Sequence, residues 1–280
     1  LARPRGRPPQ PRPGVEWQAV DLLDRRAVGR AIDALKPTTV YHLAGAPHVG
    51  SSFGNPAQPL AINAVATHYL LDAVETHARG ARVVVVTSAM IYGPSRDPLT
   101  EASPAMPSSP YGLSKLAQDR LASLAAAGGL DARIARPFNH TGPGQDASFA
   151  IPGFAEQIAR IEAGLADPLL RVGNLDAERD IADVRDVVDG YVTIAARGQP
   201  GVACNVCSGR AWRIGDLLEM LLQRAKRPIR VEVDRARLRP IELPRLVGDN
   251  TRLRALGWSP RIPIDTTLDD VLEYWRGRAA

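Results

Sequence analysis

The segments VVVVTSAMIYG (83–93) and PYGLSKLAQDRLASL (110–124) decide the fold of this chain. The run Val83–Val86 is β-branched and uninterrupted, which is typical of a strand buried on both faces of a parallel sheet. A polar loop follows, and the second segment predicts a helix over 110–127. Strands that alternate with helices along the rest of the chain predict an α/β fold, a Rossmann-like doubly wound parallel sheet.

Three side chains of these segments are candidates for one catalytic site. Ser88 follows the strand, while Tyr111 and Lys115 are four residues apart and share one face of the helix. An ammonium beside a phenol favours the phenolate, so we expect Lys115 to lower the pKa of Tyr111. Such a phenol exchanges protons with a carbonyl or an alcohol near neutral pH. The alternative is a surface lysine behind a packed tyrosine.

Lysine is rare in this chain, which strengthens the catalytic interpretation. Among 35 basic residues, only Lys36, Lys115 and Lys226 are lysines. A compact ammonium differs from a planar guanidinium in shape and in how easily burial shifts its pKa. A lysine at position 115 therefore indicates a need for an ammonium at this place.

Composition and charge limit the class of protein. With 280 residues, 45% of them hydrophobic, the chain is long enough for a large core, and no apolar run approaches a membrane span. The net charge is +5, with the excess of arginine in 1–14 and 224–239, so nucleic-acid binding is one alternative. Aromatic residues make up only 5% and no nucleic-acid module is recognisable. We therefore expect neither a nucleic-acid nor a membrane partner.

Cys204 and Cys207 have the CxxC spacing of redox and metal sites. The surrounding VACNVCSG reads as a strand, where residues three apart point to opposite faces. No second pair of ligands for zinc is recognisable in the sequence. We therefore expect two core thiols, no metal and a reducing, cytoplasmic location.

TSAMIYG followed by PYGLSK resembles the active-site segment of the extended short-chain dehydrogenases/reductases that modify nucleotide sugars. ARPFNHTGPGQ (135–145), VGNLDAERDIADVRDVV (172–188) and RPIELPRLVGD (239–249) are similar to one branch of that family. This branch contains the GDP-mannose dehydratases and the GDP-4-keto-6-deoxy-mannose reductases. The resemblance begins near Asp21, and it is specific because several motifs recur in order.

The resemblance implies a role for each of the catalytic candidates. Ser88 would hydrogen-bond the reacting sugar oxygen, Tyr111 would act as acid and base, and Lys115 would hold the nicotinamide ribose. The implied cofactor is NADPH or NADH. Its binding residues would be Asp21, Leu22, Leu43, Ala44, Gly45, Tyr111, Lys115 and Pro137. A helix N-cap is the alternative role for Asp21.

The resemblance also implies a GDP-sugar substrate. Its ligands would be Ser88, Asn139, Arg179, Arg239 and Glu242. Arg179 would bind the nucleotide diphosphate, since a guanidinium matches phosphate oxygens. A structural ion pair of Arg179 with Asp183 or Asp186 is the alternative. Asn63 matches an asparagine that braces the active-site strand in the family.

The residue at position 90 distinguishes dehydration from ketone reduction within this branch of the family. By resemblance, members that dehydrate carry a Glu two residues after the serine, whereas this chain has Met90, whose thioether cannot carry protons. The expected reaction is reduction of the C4 ketone of GDP-4-keto-6-deoxy-mannose to a GDP-6-deoxyhexose of the GDP-rhamnose type. The enzyme alternatives are a C4 epimerase and a GDP-mannose 4,6-dehydratase. The alternative from another class is a non-catalytic sugar-nucleotide-binding protein.

We expect two interleaved domains. Residues 1–137 plus 180–206 would form the NAD(P)-binding domain, and 138–179 plus 207–280 the nucleotide-sugar-binding domain. Residues 1–14 are rich in Arg and Pro and are expected to be disordered, and residues 15–20 are expected to form a short strand. The glycine-rich βα unit with which the family begins is missing from this sequence. The predicted helices 56–77 and 110–127 would pair across a homodimer, as in the family.

Overall fold

The computed structural model describes residues 13–238 and 243–279. The chain divides into two compact units, each assembled from several segments. The first unit contains the chain up to Ile91, Ala105–Ala135 and Ile194–Ala203. The second contains Tyr92–Pro104, Arg136–Thr193 and the chain from Cys204 onwards. The expected disorder of residues 1–14 concerns a segment of which 1–12 lie outside the described residues.

The first unit alternates helices and strands. Its helices are α1 (Arg25–Leu35), α2 (Val49–Ser52), α3 (Ala57–Pro59), a π-helix (Leu60–Val65), α4 (Ala66–His77), a 3₁₀ turn (Ala89–Ile91) and α5 (Pro110–Ala127). Its strands are β1 (Thr39–His42), β2 (Arg82–Val86) and β3 (Ala132–Pro137), which leaves the unit after Ala135.

Strand β2 lies between β1 and β3, and all three run parallel. Val83 is opposite Val40 on one side and Ala132 on the other. The side chains of β2 from Val83 to Val85 have no exposed surface. A strand with neighbours on both edges and cover on both faces requires a run of apolar β-branched residues, which confirms the prediction from 83–86.

The core of this unit lies between the sheet and the helices that cover it. Val28 and Ile32 of α1 and Leu70 and Val74 of α4 belong to the same buried cluster as Val83. Ala122 contributes from α5, together with Leu130 and Ile134. The cluster anchors the strand whose carboxyl end carries Ser88.

Two predictions for this unit are wrong in detail. The helix predicted over 56–77 is divided into α3, the π-helix and α4, and Pro59, which has no N–H, already interrupts the helical hydrogen bonds. The strand predicted over 15–20 is an extended segment with a single bridge at Ala19. A single bridge does not form the regular backbone hydrogen bonds of a strand. The side chain of Trp17 in this segment is exposed.

The second unit mixes parallel and antiparallel pairing. Its strands are β4 (Asn139–Thr141), β5 (Leu169–Val172), β6 (Glu178–Asp183), β7 (Ala203–Val206), β8 (Ala211–Arg213), β9 (Arg230–Val233) and β10 (Arg245–Leu246). Its helices are α6 (Ala150–Glu162), α7 (Val184–Arg197), which passes into the first unit at Ile194, α8 (Ile214–Gln223), a 3₁₀ turn (Arg235–Arg237), α9 (Thr251–Ala255) and α10 (Ile264–Ala279).

Strand β6 organises this second unit. It pairs in parallel with β4 and β10, and β8 runs antiparallel to it. Strands β5 and β9 form a separate parallel pair. The core is a cluster in which Phe154 of α6, Leu217 of α8 and Leu268 of α10 are buried.

The boundaries of the two units differ from those of the predicted domains. Residues 92–104 and 180–193 belong to the second unit, although the sequence analysis places them in the first domain. Residues 180–193 belong to the second unit because they begin within β6. The partners of β6, which are β4, β8 and β10, all belong to the second unit. The two predicted domain functions stay predictions.

Within the described ranges, no helix is long and apolar enough to cross a membrane.

Candidate active site

Ser88 lies just beyond the carboxyl end of β2 and is 8% exposed. Its Oγ accepts a hydrogen bond of 3.1 Å from the backbone N–H of Met90. This bond occupies a lone pair of Ser88 and leaves the hydroxyl proton available for donation. The strand thus holds a buried hydroxyl donor at its end.

The start of α5 places Tyr111 beside this hydroxyl. Ser109 is the N-cap, and its Oγ accepts the N–H of Gly112 at 3.0 Å, with Pro110 at the first helical position. The backbone N–H of Tyr111 donates to Ser52 Oγ at 3.2 Å. A Cβ at Gly112 would collide with the Met90 carbonyl and lie 2.9 Å from Pro107 Cβ. Glycine is therefore required for this close approach of the helix to the loop after β2.

The phenol of Tyr111 is buried, and it is hydrogen-bonded to Ser88. Burial raises the pKa of Tyr111 above its ordinary value of 10.0, and the Ser88 hydrogen bond opposes that shift. The expected lowering of this pKa is wrong, because burial is the largest influence on the phenol and raises its pKa. Tyr111 is therefore a protonated acid before the reaction.

Lys115 is directed at neutral oxygen atoms. It is 6% exposed, and its Nζ donates to the Val86 carbonyl at 3.1 Å and to Gln118 Oε1 at 2.8 Å. Burial lowers the pKa of Lys115 from 10.5 to about 8. The lysine is therefore inside the unit, and the alternative of a surface lysine is wrong.

Asn63 connects the loop after β1 to α5. It is fully buried in the π-helix, its Oδ1 accepts the N–H of Ala46 at 2.8 Å, and its Nδ2 donates to Ser114 Oγ at 2.8 Å. The Ser114 hydroxyl donates to the carbonyl of Tyr111 at 2.7 Å. Asn63 therefore braces the helix that carries Tyr111 rather than the active-site strand.

A cavity of about 810 Å³ opens beside β1 in the first unit. Five of the predicted cofactor residues are among those that line it, namely Asp21, Leu22, Leu43, Ala44 and Gly45. A Cβ at Gly45 would lie 2.8 Å from Asn63 Oδ1 and 3.4 Å from Lys115 Nζ. The glycine thus keeps open a cradle beside the ammonium, which fits a ligand that approaches the backbone closely.

Asp21 is not the N-cap of α1. Asp24 has that role, since its Oδ1 accepts the N–H of Ala27 at 3.0 Å. Asp21 Oδ1 accepts the N–H of Leu23 at 3.0 Å, which forms a turn at the rim of the cavity. This carboxylate is therefore placed in the cavity wall, and the alternative of a simple cap is wrong.

The remaining predicted ligands lie in the second unit or outside the described residues. Pro137 is buried at the end of β3, Asn139 is exposed on β4, and Arg179 is 8% exposed on β6. Arg179 Nη1 donates to the carbonyl of Glu178 at 2.8 Å. Arg239 and Glu242 lie outside the described residues, so their roles stay predictions.

The alternative role of Arg179 was an ion pair with Asp183 or Asp186, and both of these carboxylates have other partners. Asp183 is bonded to Arg185 at 2.7 Å and accepts the hydroxyl of Thr267 at 2.8 Å. Asp186 accepts the backbone N–H groups of Arg261 and Ile262 at 3.0 and 2.9 Å. These contacts are made to groups other than Arg179, and the role of Arg179 stays a prediction.

Sequence reasoning missed three buried polar residues beside the site. His42 Nε2 lies 2.7 Å from Thr67 Oγ1, and Gln118 Nε2 donates to the same oxygen at 2.9 Å. Burial, and then the charge of Lys115, lower the pKa of His42 to about 4. The available signal was a histidine at the end of a buried strand and a glutamine one helical turn after Lys115.

The two cysteines are free and buried. Burial is the largest cause that raises the pKa of Cys204 to about 11, and it also raises that of Cys207. Among the described residues, no group of three His, Cys, Asp or Glu side chains is arranged to hold a metal. Both thiols are therefore unreactive core groups.

Comparisons with known proteins agree with this architecture. The sequence model of the GDP-mannose 4,6 dehydratase family matches residues 5–271. The chain is 37% identical over 263 residues to the GDP-6-deoxy-D-mannose reductase of Pseudomonas aeruginosa, covering 92% of this chain and 86% of that protein. It is 27% identical to the human GDP-mannose 4,6 dehydratase, covering 90% and 74%.

Solved structures are similar along most of the chain. RMD from Pseudomonas aeruginosa, complexed with NADPH, has a TM-score of 0.87 at 36% identity and covers 93% of this chain and 88% of that one. UDP-glucose 4-epimerase from Thermus thermophilus, in complex with NAD, has a TM-score of 0.86 at 26% identity and covers 98% and 88%. On the match of its sequence and the arrangement of its strands, the chain belongs to the GDP-mannose 4,6-dehydratase family.

Proposed function

We propose that this protein is a nucleotide-sugar oxidoreductase that reduces the C4 ketone of a GDP-4-keto-6-deoxy-mannose with NADPH or NADH. The product is a GDP-6-deoxyhexose of the GDP-rhamnose type. The observation that carries the proposal is the hydrogen-bonded hydroxyl pair Ser88–Tyr111, with Lys115 nearby and a thioether at position 90. The reductase of Pseudomonas aeruginosa, which aligns with 92% of this chain, supports the same reaction.

The proton chemistry follows from the two hydroxyl groups. Ser88 accepts from Met90, so its own proton is free to polarise the ketone oxygen. Tyr111 enters the reaction protonated because burial raises its pKa, and it gives its proton to the alkoxide that forms at O4. Once O4 is protonated, the Ser88 hydroxyl is released from it and donates to the phenolate that remains. The nicotinamide cofactor, when bound, supplies the hydride.

The cavity beside β1 is the place we assign to the dinucleotide. Asp21 and Leu22 would contact the adenine end, and Leu43–Gly45 the part of the cofactor next to the sugar. Lys115, which lies at the Gly45 cradle, would bind the nicotinamide ribose. Pro137 would face the nicotinamide amide. The fit rests on the small residue at position 45 and on the cavity volume of about 810 Å³.

Met90 favours reduction over dehydration. Dehydration needs a group that removes a proton from C5, and a thioether has no proton to exchange. Within the described part of the first unit, no carboxylate hydrogen-bonds Ser88, Tyr111 or Lys115. The ketone reduction requires only the hydroxyl pair and the cation.

The second unit supplies the proposed ligands of GDP. Asn139 and Arg179 would bind the diphosphate, since an amide and a guanidinium both donate to phosphate oxygens. Arg239 and Glu242 would complete this set. The partner of the protein is thus a GDP-sugar, and the reducing cytoplasm is the compartment we assign to its two free thiols.

We further propose a homodimer formed by α4 and α5. Leu113 and Leu124 of α5 are 50% and 69% exposed, and Val65 next to α4 is 39% exposed. Exposed apolar side chains on neighbouring helices are typical of an association surface. Sedimentation equilibrium of the parent and of Leu113→Glu tests this: the parent should be dimeric, and a monomeric parent would contradict the proposal.

The test of the reaction uses the full chain with GDP-4-keto-6-deoxy-mannose and either NADPH or NADH. We expect oxidation of the dinucleotide and a product heavier than the substrate by two hydrogen atoms. Met90→Leu should retain this activity, because position 90 carries no proton. Calorimetric titration with each dinucleotide and with GDP gives the second readout. Binding of GDP without either dinucleotide, and no oxidation, would instead indicate a sugar-nucleotide-binding protein.

A further inference from the structure

Lys115 is a buried cation whose hydrogen-bond partners are neutral. Its Nζ contacts the Val86 carbonyl and the Gln118 amide oxygen, and within the described ranges it forms no ion pair. A buried ammonium without a carboxylate is costly, so the groups that hold it must be well oriented. The Val86 oxygen belongs to the backbone, so Gln118 is the partner whose side chain holds the ammonium.

The amide of Gln118 is itself fixed by a second set of hydrogen bonds. Gln118 has no exposed surface, and its Nε2 donates to Thr67 Oγ1 at 2.9 Å. The Thr67 hydroxyl donates to the carbonyl of Asn63 at 2.5 Å, so both Gln118 and His42 act as donors toward it. This direction of the bonds turns Oε1 of Gln118 toward Lys115.

Among the described residues, no carboxylate contacts the Lys115 ammonium. On β1, His42 is neutral at physiological pH because burial lowers its pKa to about 4. On α5, Tyr111 is protonated, and Asp119 accepts a hydrogen bond from Thr87 of β2 at 3.3 Å. The π-helix that packs against α5 has the sequence LAINAV and contains no ionisable residue.

We propose that Gln118 is a positioning residue: its amide, anchored on Thr67, holds the Lys115 ammonium at the carboxyl end of β2 in the place where a carboxylate would otherwise be expected. A neutral partner fixes the position of the ammonium without stabilising its charge as strongly as a carboxylate does. Burial lowers the pKa of Lys115 to about 8, close to the working range of an enzyme, and a neutral partner opposes this shift less than a carboxylate would. The role of the Gln118–Lys115 contact in catalysis rests on the proposed function. The titration of Lys115 can be measured whether or not that function is correct.

The experiment is a titration of the lysine side chains by NMR. Lysine labelled with ¹³C at Cε gives three signals in this chain, and Lys36 and Lys226 are exposed and serve as internal references. Gln118→Glu replaces the amide by a carboxylate. Gln199→Glu makes the same change of charge at an exposed loop position of the first unit and is the matched control.

We expect the titration midpoint of Lys115 to lie near 8 in the parent. In Gln118→Glu it should rise by about one unit or more, because an adjacent opposite charge favours the ammonium. In Gln199→Glu it should stay unchanged, as should Lys36 and Lys226 in every variant. A Lys115 midpoint in Gln118→Glu equal to that of the parent would overturn the proposal.

Gln118→Met keeps the experiment decisive if the carboxylate prevents folding. Methionine has a similar length but accepts hydrogen bonds only weakly, so the Lys115 midpoint should fall by about half a unit or more. A folded Gln118→Met protein with an unchanged midpoint would also overturn the proposal. The far-ultraviolet circular dichroism of each variant establishes that it is folded.

The pH dependence of kcat separates this inference from the proposed function. If the midpoint of Lys115 and the alkaline limb of kcat move together in Gln118→Glu, both proposals are supported. If the midpoint moves and the profile of kcat does not, Gln118 positions Lys115 and the proposed role of Lys115 in the reaction is contradicted.

Discussion

Two regions of the first unit differ in how completely they are formed: the buried polar network at the start of α5 and the wall of the proposed cofactor cavity along β1. On the side of α5, Asn63, Thr67, Ser114 and Gln118 have no exposed surface and are hydrogen-bonded to one another or to the backbone. On the side of β1, large apolar side chains are 40–61% exposed, among them Tyr41 and Leu43.

This difference shows which part of the first unit is held in one geometry before a ligand binds. Buried polar networks whose members are all satisfied keep catalytic groups in one geometry before any ligand binds. The wall of β1 instead retains apolar surface that a bound dinucleotide would cover. Substitutions on the α5 side should therefore change catalysis and stability, and those on the β1 side should change ligand affinity.

The largest effect is expected from removing the proton donor. Tyr111→Phe deletes a phenol whose hydrogen-bond partner is Ser88, and it leaves the packing of the ring in place. We expect kcat to fall by about 10²–10⁴-fold, the usual contribution of a general acid. Steady-state kinetics give this ratio, and calorimetric titration with NADPH checks that the cofactor still binds. Unchanged kcat would remove Tyr111 from the mechanism.

The next largest effect concerns the acid sensitivity of His42, which belongs to β1 and contacts Thr67 of the buried polar network. The pKa of His42 is about 4 in the folded protein and 6.5 in the unfolded chain, so the unfolded state binds more protons between these values. This residue therefore contributes stability above pH 6.5 that is lost as the pH falls toward 4. The loss is about 3 kcal/mol, an order-of-magnitude figure.

His42→Gln tests this linkage, since glutamine keeps a donor for Thr67 and does not titrate. Urea unfolding between pH 4 and pH 7 (about the range of the His42 shift) should show a shallower acid loss for the variant than for the parent. Parallel stability curves for the two proteins would show that His42 is not a buried neutral histidine.

A smaller effect is expected at the brace of α5. Asn63→Ala leaves the Ala46 N–H and the Ser114 hydroxyl without the amide that they contact. We expect a loss of about 1–3 kcal/mol in the free energy of unfolding, the cost of unsatisfied buried polar groups. Asn55→Ala, at an exposed position in the same unit, is the control and should stay within about 0.5 kcal/mol of the parent. Equal losses in both variants would contradict the bracing role.

The smallest effect on the protein itself is expected on the β1 side. Leu43 is 61% exposed, so Leu43→Asp should leave the free energy of unfolding within about 0.5 kcal/mol of the parent. A carboxylate in the cavity repels the phosphates of a dinucleotide, so the Kd of NADPH should rise by about tenfold. Calorimetric titration measures it. An unchanged Kd would place the cofactor elsewhere.

The sequence was a good guide to the elements that carry the catalytic groups. The run of valines in β2 and the Ser109–Pro110 start of α5 are local signals, because burial on both faces and helix capping leave a direct trace in residue type. The pairing of Ser88 with Tyr111 could therefore be anticipated. Leu43 and Gly45 could also be placed together, since both follow the end of a strand.

The electrostatics of the site could not be read from the sequence in the same way. The spacing of Tyr111 and Lys115 suggested a lowered pKa for the phenol, but the direction depends on burial, which raises it. Gln118 resembles any polar residue on a helix until the packing of α4 against α5 is known. The π-helix likewise depends on tertiary contacts rather than on local propensity.

The π-helix has a consequence for how this chain tolerates insertions and deletions. Its hydrogen bonds span five residues instead of four, as the N–H of Ala66 to the carbonyl of Ala61 shows, so the segment holds one residue more than an α-helix would need. Loss of a single residue between Leu60 and Val65 would restore an α-helix and leave the flanking turns facing nearly as before, because the π turn absorbs the extra residue locally. The change would fall on Asn63, which lies within that turn. Asn63 would then no longer face both Ala46 and Ser114, although the helix itself would remain intact. A change that spares secondary structure would in this way misplace the start of α5.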